Sequence, residues 1–114
     1  MVDTNWRKFL VSTTDRLDAL RAGIPGVAAG FDGLAPSAAG DGVLDGRIKE
    51  LIALAIAIAV RSEGCLAHHA RAAAQAGASR QEVLETIGVA VHMGGEPAMV
   101  HGSQALEAFD QFTE

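Results

Sequence analysis

The run Leu51–Val60, LIALAIAIAV, is apolar at every position and is closed by Lys49-Glu50 before it and Arg61 after it. A membrane span needs about 20 such residues, so this segment is expected inside a protein core. Its alternating Ala and Ile would also suit a strand. It continues, however, from Asp45-Gly46-Arg47-Ile48, where Asp45 stands as an N-cap, and the combined pattern predicts a helix over about 45–61. A helix apolar around its whole circumference needs cover on every side. A chain of 114 residues has few helices to supply that cover, which makes self-association the expected remedy.

The remaining residues fall on helices as well. Trp6, Phe9, Leu10, Thr13, Leu17 and Leu20 recur at helical spacing and predict a first helix from about Asp3 to Arg21, ended by Gly23 and Pro25. Residues 26–40 predict a short second helix weakened by Gly30, Gly33 and Pro36. After the apolar third helix, a fourth is expected over 63–76 with Gly77 as its left-handed terminator. Ser79-Arg80-Gln81-Glu82 has capping-box spacing and opens a fifth helix, which Gly94-Gly95 stops. Pro97 suits the first turn of a last helix carrying Met99, Val100, Leu106, Phe109 and Phe112. The expectation is an all-α fold of about six helices in one domain spanning residues 1–114. Only 4% of the residues are aromatic, so alanines are expected to carry the helix contacts.

Composition narrows the function. A net charge of −5 with nine Lys and Arg leaves no footprint for a phosphate backbone, so nucleic acid is a poor partner. A single Cys makes no internal disulfide, and Met1-Val2 leads into polar Asp3-Thr4-Asn5 rather than an apolar leader, so the cytosol is the expected location and a membrane is not. The four histidines lack the spacing of a metal set, since His68 and His69 are adjacent and diverge by about 100° on a helix; neither metal nor cofactor is expected.

That single Cys65 falls in the first turn of the fourth helix, where the helix dipole and free N–H groups favour an anionic sulfur. His69, four residues on, shares its face and is placed to exchange a proton directly or through water. Spacing alone leaves this open, because Cys65 also reads as a small apolar residue and His69 as a satisfied histidine. If the third and fourth helices form a hairpin near Arg61 and Ser62, Glu50 lies one turn beyond the point opposite His69, about 6 Å along the axis. A Glu side chain or one bridging water spans that, which makes a Glu50–His69 proton relay feasible. The alternative for Glu50 is a helix-surface carboxylate. His92 reads first as a histidine favoured by the helix C-terminal dipole, with a lining of the same cleft as the alternative, and His101 has no evident partner.

With Glu50, Ser62, Cys65 and His69 in place, the run RIKELIALAIAIAVRSEGCLAHHARAAAQAGASRQEVLETIGVAVHMGG resembles the alkylhydroperoxidase D and carboxymuconolactone decarboxylase family. The family pattern E-x11-C-x-x-C-x-x-x-H is matched by Glu50, Cys65 and His69, with Ser62 where the first cysteine stands and Gly64 where alkylhydroperoxidase D has a further histidine. The resemblance implies a helical subunit of a trimer or hexamer. It also implies a thiol peroxidase that consumes hydroperoxide and is re-reduced by an external dithiol, in some members a lipoylated protein. Cysteine-free members of the family instead decarboxylate a muconolactone. Serine cannot resolve a sulfenic acid, so Ser62 marks either a natural one-cysteine variant that relies on external thiols or an engineered replacement. A lyase using Glu50 and His69, and a non-enzymatic helical assembly, are the competing expectations.

Overall fold

A computed structural model describes residues 4–114, and all the regular structure in it is helical. The helices are α1 (Trp6–Gly23), α2 (Pro25–Asp32), α3 (Leu34–Ala39), α4 (Gly46–Ala59), α5 (Glu63–Gln75), α6 (Arg80–Gly94) and α7 (Glu96–Phe112). The six helices expected are present, with the second in two pieces because the chain breaks at Gly33. The expected start of the first helix at Asp3 lies outside the described residues; within them, the Asn5 side chain caps α1 by accepting from Lys8 N.

The apolar run forms α4, capped by Asp45, whose carboxylate accepts from Ile48 N at 2.9 Å. One stripe of it, Leu51, Leu54, Ala57 and Ile58, is buried. Leu54 and Ile58 are fully enclosed, each contributing about 1.5–3 kcal/mol by burial. On one flank α4 packs against α5, on the other against α6, and α7 closes the group by touching all three. Helices α5 and α7 pack extensively, and both bury alanines: Ala67, Ala70 and Ala73 on α5, and Ala98, Ala105 and Ala108 on α7. Small side chains bring these helices close, as the aromatic-poor composition implied. Gly102 has the same role between α7 and α6, where a Cβ would stand 2.7 Å from Ile87 Cγ2.

Helix α1 lies across α5 and α7. Buried Trp6 anchors it, with Nε1 donating to Glu107 Oε1 at 2.8 Å and the backbone N–H donating to Gln111 Oε1 at 2.7 Å. Both α5 and α6 open on serine caps, and the capping box of Ser79 with Glu82 is complete. Gly77 takes the expected left-handed conformation, φ 85°, and the bonds Ala78 N to Ala73 O and Gly77 N to Ala74 O close the end of α5 in a Schellman motif.

Candidate active site

The turn between α4 and α5 sets the site. Ser62 N donates to Ala57 O at 3.0 Å and Arg61 N to Ile58 O at 3.2 Å, a second Schellman closure. Its left-handed position is occupied by Arg61, φ 62°, a non-glycine in a region that disfavours side chains. The sequence carried no glycine to signal this turn. Ser62 then has a double role. Its backbone ends α4, and its hydroxyl caps α5 by accepting from Cys65 N at 3.3 Å. One tight hairpin thereby fixes α5 against α4.

In that register His69 Nδ1 donates to Glu50 Oε2 at 2.7 Å, a direct contact with no need for a bridging water. An ionised carboxylate only accepts, so Nδ1 carries the hydrogen and Nε2 is left as the acceptor of the neutral ring. The two side chains are mostly sheltered, 27% and 19% exposed, so their interaction is less screened than a surface ion pair. The structure thus brings together two of the expected residues by direct contact, and Ser62 with Cys65 through the cap.

Cys65 is a free, exposed thiol in the first turn of α5. It shares the outward flank of the helix with His69, one turn on, but no hydrogen bond joins its sulfur to His69 among the described residues. The two side chains are thus neighbours on one flank without being joined in this structure. Gly64, at the position where the family's further histidine stands, faces α1, where a Cβ would meet Thr13 Cγ2 at 3.6 Å.

His68 stands edge-on to His69, ring centroids 4.9 Å apart. Desolvation first, then the charges of His69 and Arg71, lower its pKa from the ordinary 6.5, against a smaller opposing pull from Glu50. A histidine held neutral by the fold is protonated more readily in the unfolded chain. Its contribution to stability is complete above pH 6.5 and is lost as the pH falls toward the folded-state value. We expect the urea midpoint of the protein to drop over that window, and less steeply for His68→Gln; parallel curves would refute the assignment.

His92 and His101 are placed apart from the relay. Helix α6 packs on α4 and α7 but not on α5, so exposed His92 does not line the Glu50–His69 contact. His101 has a partner that sequence spacing did not reveal. Its Nδ1 bonds Gln104 Oε1 at 2.9 Å, and Gln104 Nε2 donates to Glu63 Oε2 at 3.2 Å, tying α7 to the start of α5. Glu63 and Cys65 are two residues apart and point to opposite sides of the helix, so this chain of bonds stands behind the thiol. Among the described residues no three His, Cys, Asp or Glu side chains gather as a metal would require, and no helix is long and apolar enough to cross a membrane.

Comparison with known proteins places this chain among relatives. The model of the Carboxymuconolactone decarboxylase family matches residues 25–108. An uncharacterized protein of Cupriavidus necator is 31% identical over 107 residues, covering 94% of this chain and 95% of its own. Among solved structures, the apo form of a carboxymuconolactone decarboxylase family protein from Legionella pneumophila superposes with a TM-score of 0.91 at 39% identity, covering 96% of this chain and 97% of that one. A Thermotoga maritima member of the family, for which involvement in an antioxidative response has been suggested, superposes with a TM-score of 0.80 at 25% identity over 89% of this chain and 86% of its own.

Proposed function

The chain belongs to the carboxymuconolactone decarboxylase family, and within it we propose that residues 1–114 act as one domain of a thiol-dependent hydroperoxide reductase of the cytosol. Cys65 is the reactive thiol, His69 and Glu50 the proton relay, and Ser62 the occupant of the resolving position. The observation that carries this reading is the 2.7 Å Glu50–His69 contact on the flank of α5 that presents the exposed Cys65. The antioxidative role suggested for the Thermotoga maritima relative agrees with it.

In this mechanism the neutral His69 Nε2 takes the thiol proton through a bound water or the hydroperoxide itself, and Glu50 stabilises the imidazolium that forms. The thiolate attacks the terminal peroxide oxygen and the O–O bond breaks. The departing alkoxide takes the proton held by His69, leaving an alcohol and a Cys65 sulfenic acid. With serine at position 62, an external dithiol must do the rest. Its first thiol condenses with the sulfenic acid and releases water; its second attacks the mixed disulfide, freeing Cys65 and leaving the reductant as a cyclic disulfide. A lipoyl group on a protein has this chemistry. The half-buried apolar run of α4, with Ile52 and Ile56 exposed, supports a homo-oligomer, a trimer or hexamer, as the working form.

One feature favours a second reading. The sulfur has no bond to His69, so Glu50 and His69 would serve equally as acid and base in a lactone decarboxylase in which Cys65 is a bystander. Cys65→Ala separates the two. We expect it to abolish dithiol-dependent hydroperoxide consumption; a Cys65→Ala protein that decarboxylates a carboxymuconolactone as fast as the parent would establish the lyase instead. A helical assembly without enzymatic function would turn over neither substrate.

A further inference from the structure

We propose that the α2–α3 arm of one copy seats on the apolar groove between α4 and α6 of a second copy; this deepens the oligomer just proposed by naming both of its faces. The chain exposes 7049 Å², whereas a monomeric protein of 11.8 kDa exposes about 5,900 Å². The excess, about 1,100 Å², exceeds the roughly 800 Å² that each partner contributes to a standard interface. The radius of gyration, 14.4 Å, is likewise above the roughly 13.3 Å of a compact chain of this length.

The excess has a source. Helices α2 and α3 bury none of their residues, and among the described helices α2 touches only α1 and α3, and α3 only α2 and α4. Between Gly23 and Gly40 the only charged residue is Asp32, and Arg21 already pairs with it at 3.0 Å. Of the four phenylalanines, Phe9, Phe109 and Phe112 belong to the core, while Phe31 is 64% exposed beside Val27, one helical turn away. A segment so poor in charge and so rich in apolar surface is not built to face water.

The matching face lies between α4 and α6, lined by Ile48, Leu51, Ile52, Ala55, Thr86 and Val89. Its one hydroxyl, on Thr86, is turned into its own helix, donating to Glu82 O at 2.8 Å, so the groove presents carbon. Arg47 beside it is paired with Glu82. The arm does not reach this groove in its own chain, since neither α2 nor α3 contacts α6. Every copy therefore brings one unfilled groove and one uncovered arm, and a second copy supplies each with what it lacks. An arm-on-groove contact can be made reciprocally by two copies about a two-fold axis or passed head-to-tail from copy to copy around a closed ring. The groove opens on the flank of α4 away from Glu50, about 200° around the helix from Glu50 to Ile52, so changing it leaves the relay untouched.

The test uses two full-length variants, Phe31→Glu on the arm and Val89→Glu in the groove, both at exposed positions. Sedimentation should show each losing self-association by about a hundredfold, as for a central apolar anchor, with an unchanged helical circular dichroism spectrum. Mixed together, the Phe31→Glu copy still offers a groove and the Val89→Glu copy an arm, so the mixture should associate while neither variant does alone. A parent protein that is monomeric at all concentrations would overturn the oligomer itself. An associating parent whose variants fail to complement, or of which only one dissociates, would leave the oligomer standing and overturn the arm-on-groove contact.

Discussion

Ser62→Cys is expected to raise dithiol-dependent hydroperoxide turnover on the order of a hundredfold, because a thiol held within the site converts a bimolecular resolution of the sulfenic acid into an intramolecular one. The position is suitable: the Ser62 side chain already folds over the first turn of α5 to meet the backbone of Cys65 at 3.3 Å. The reaction then runs through an internal disulfide that the external dithiol reopens. The exchange has a structural cost, since sulfur is a poorer cap than a serine hydroxyl, and a loss of about 0.5–1 kcal/mol of stability should accompany the gain. Stopped-flow peroxide consumption with a dithiol in excess measures the first effect and urea denaturation the second. A more active but slightly less stable variant is the expected pair; a less stable variant with unchanged turnover would remove position 62 from the redox chemistry.

His69→Ala is expected to lower hydroperoxide turnover by about 10²-fold or more, the usual worth of a positioned general base. Glu50→Gln should act through the same ring. Its amide keeps the shape of the carboxylate but loses the charge that stabilises the imidazolium, so the variant should lose most of what His69→Ala loses, and the double variant little more than either. The contact is sheltered, with side chains 27% and 19% exposed, so this coupling should survive in 0.5 M salt, about the regime where exposed pairs are screened. Additive losses in the double variant would mean that the two residues act separately.

Much of this was readable in the sequence for identifiable reasons. Asp45, Ser62 and Ser79 each precede a helix and each accept from a backbone N–H three residues on, so the helix starts follow from local chemistry. The Glu50–His69 contact followed from hairpin arithmetic once Arg61 and Ser62 were taken as the turn. Other features depend on which helices meet, and no local pattern encodes that. His101 gains its partner from Gln104 and Glu63 across α5 and α7. His92 is separated from the site because α6 lies on the far flank of α4. The break at Gly33 is a case of weak preferences, where Gly30, Gly33 and Pro36 dilute the helix signal and no core packing overrides them. The chain's own helices cover one stripe of α4, and Ile52, Ile56 and Val60 on its remaining surface stay exposed.

The central claim is that Glu50 and His69 activate the thiol of Cys65, and the rate of Cys65 alkylation by a small neutral reagent tests it most directly. Alkylation consumes thiolate, requires no identified substrate and reports on one residue, since Cys65 is the only cysteine. Measured from pH 5 to 9, the parent should react faster at neutral pH than His69→Ala and Glu50→Gln, and the three rates should converge at high pH, where every thiol is ionised. Superimposable profiles for the parent and His69→Ala would contradict the account, leaving Cys65 an exposed but unassisted thiol beside a hydrogen-bonded pair with some other purpose.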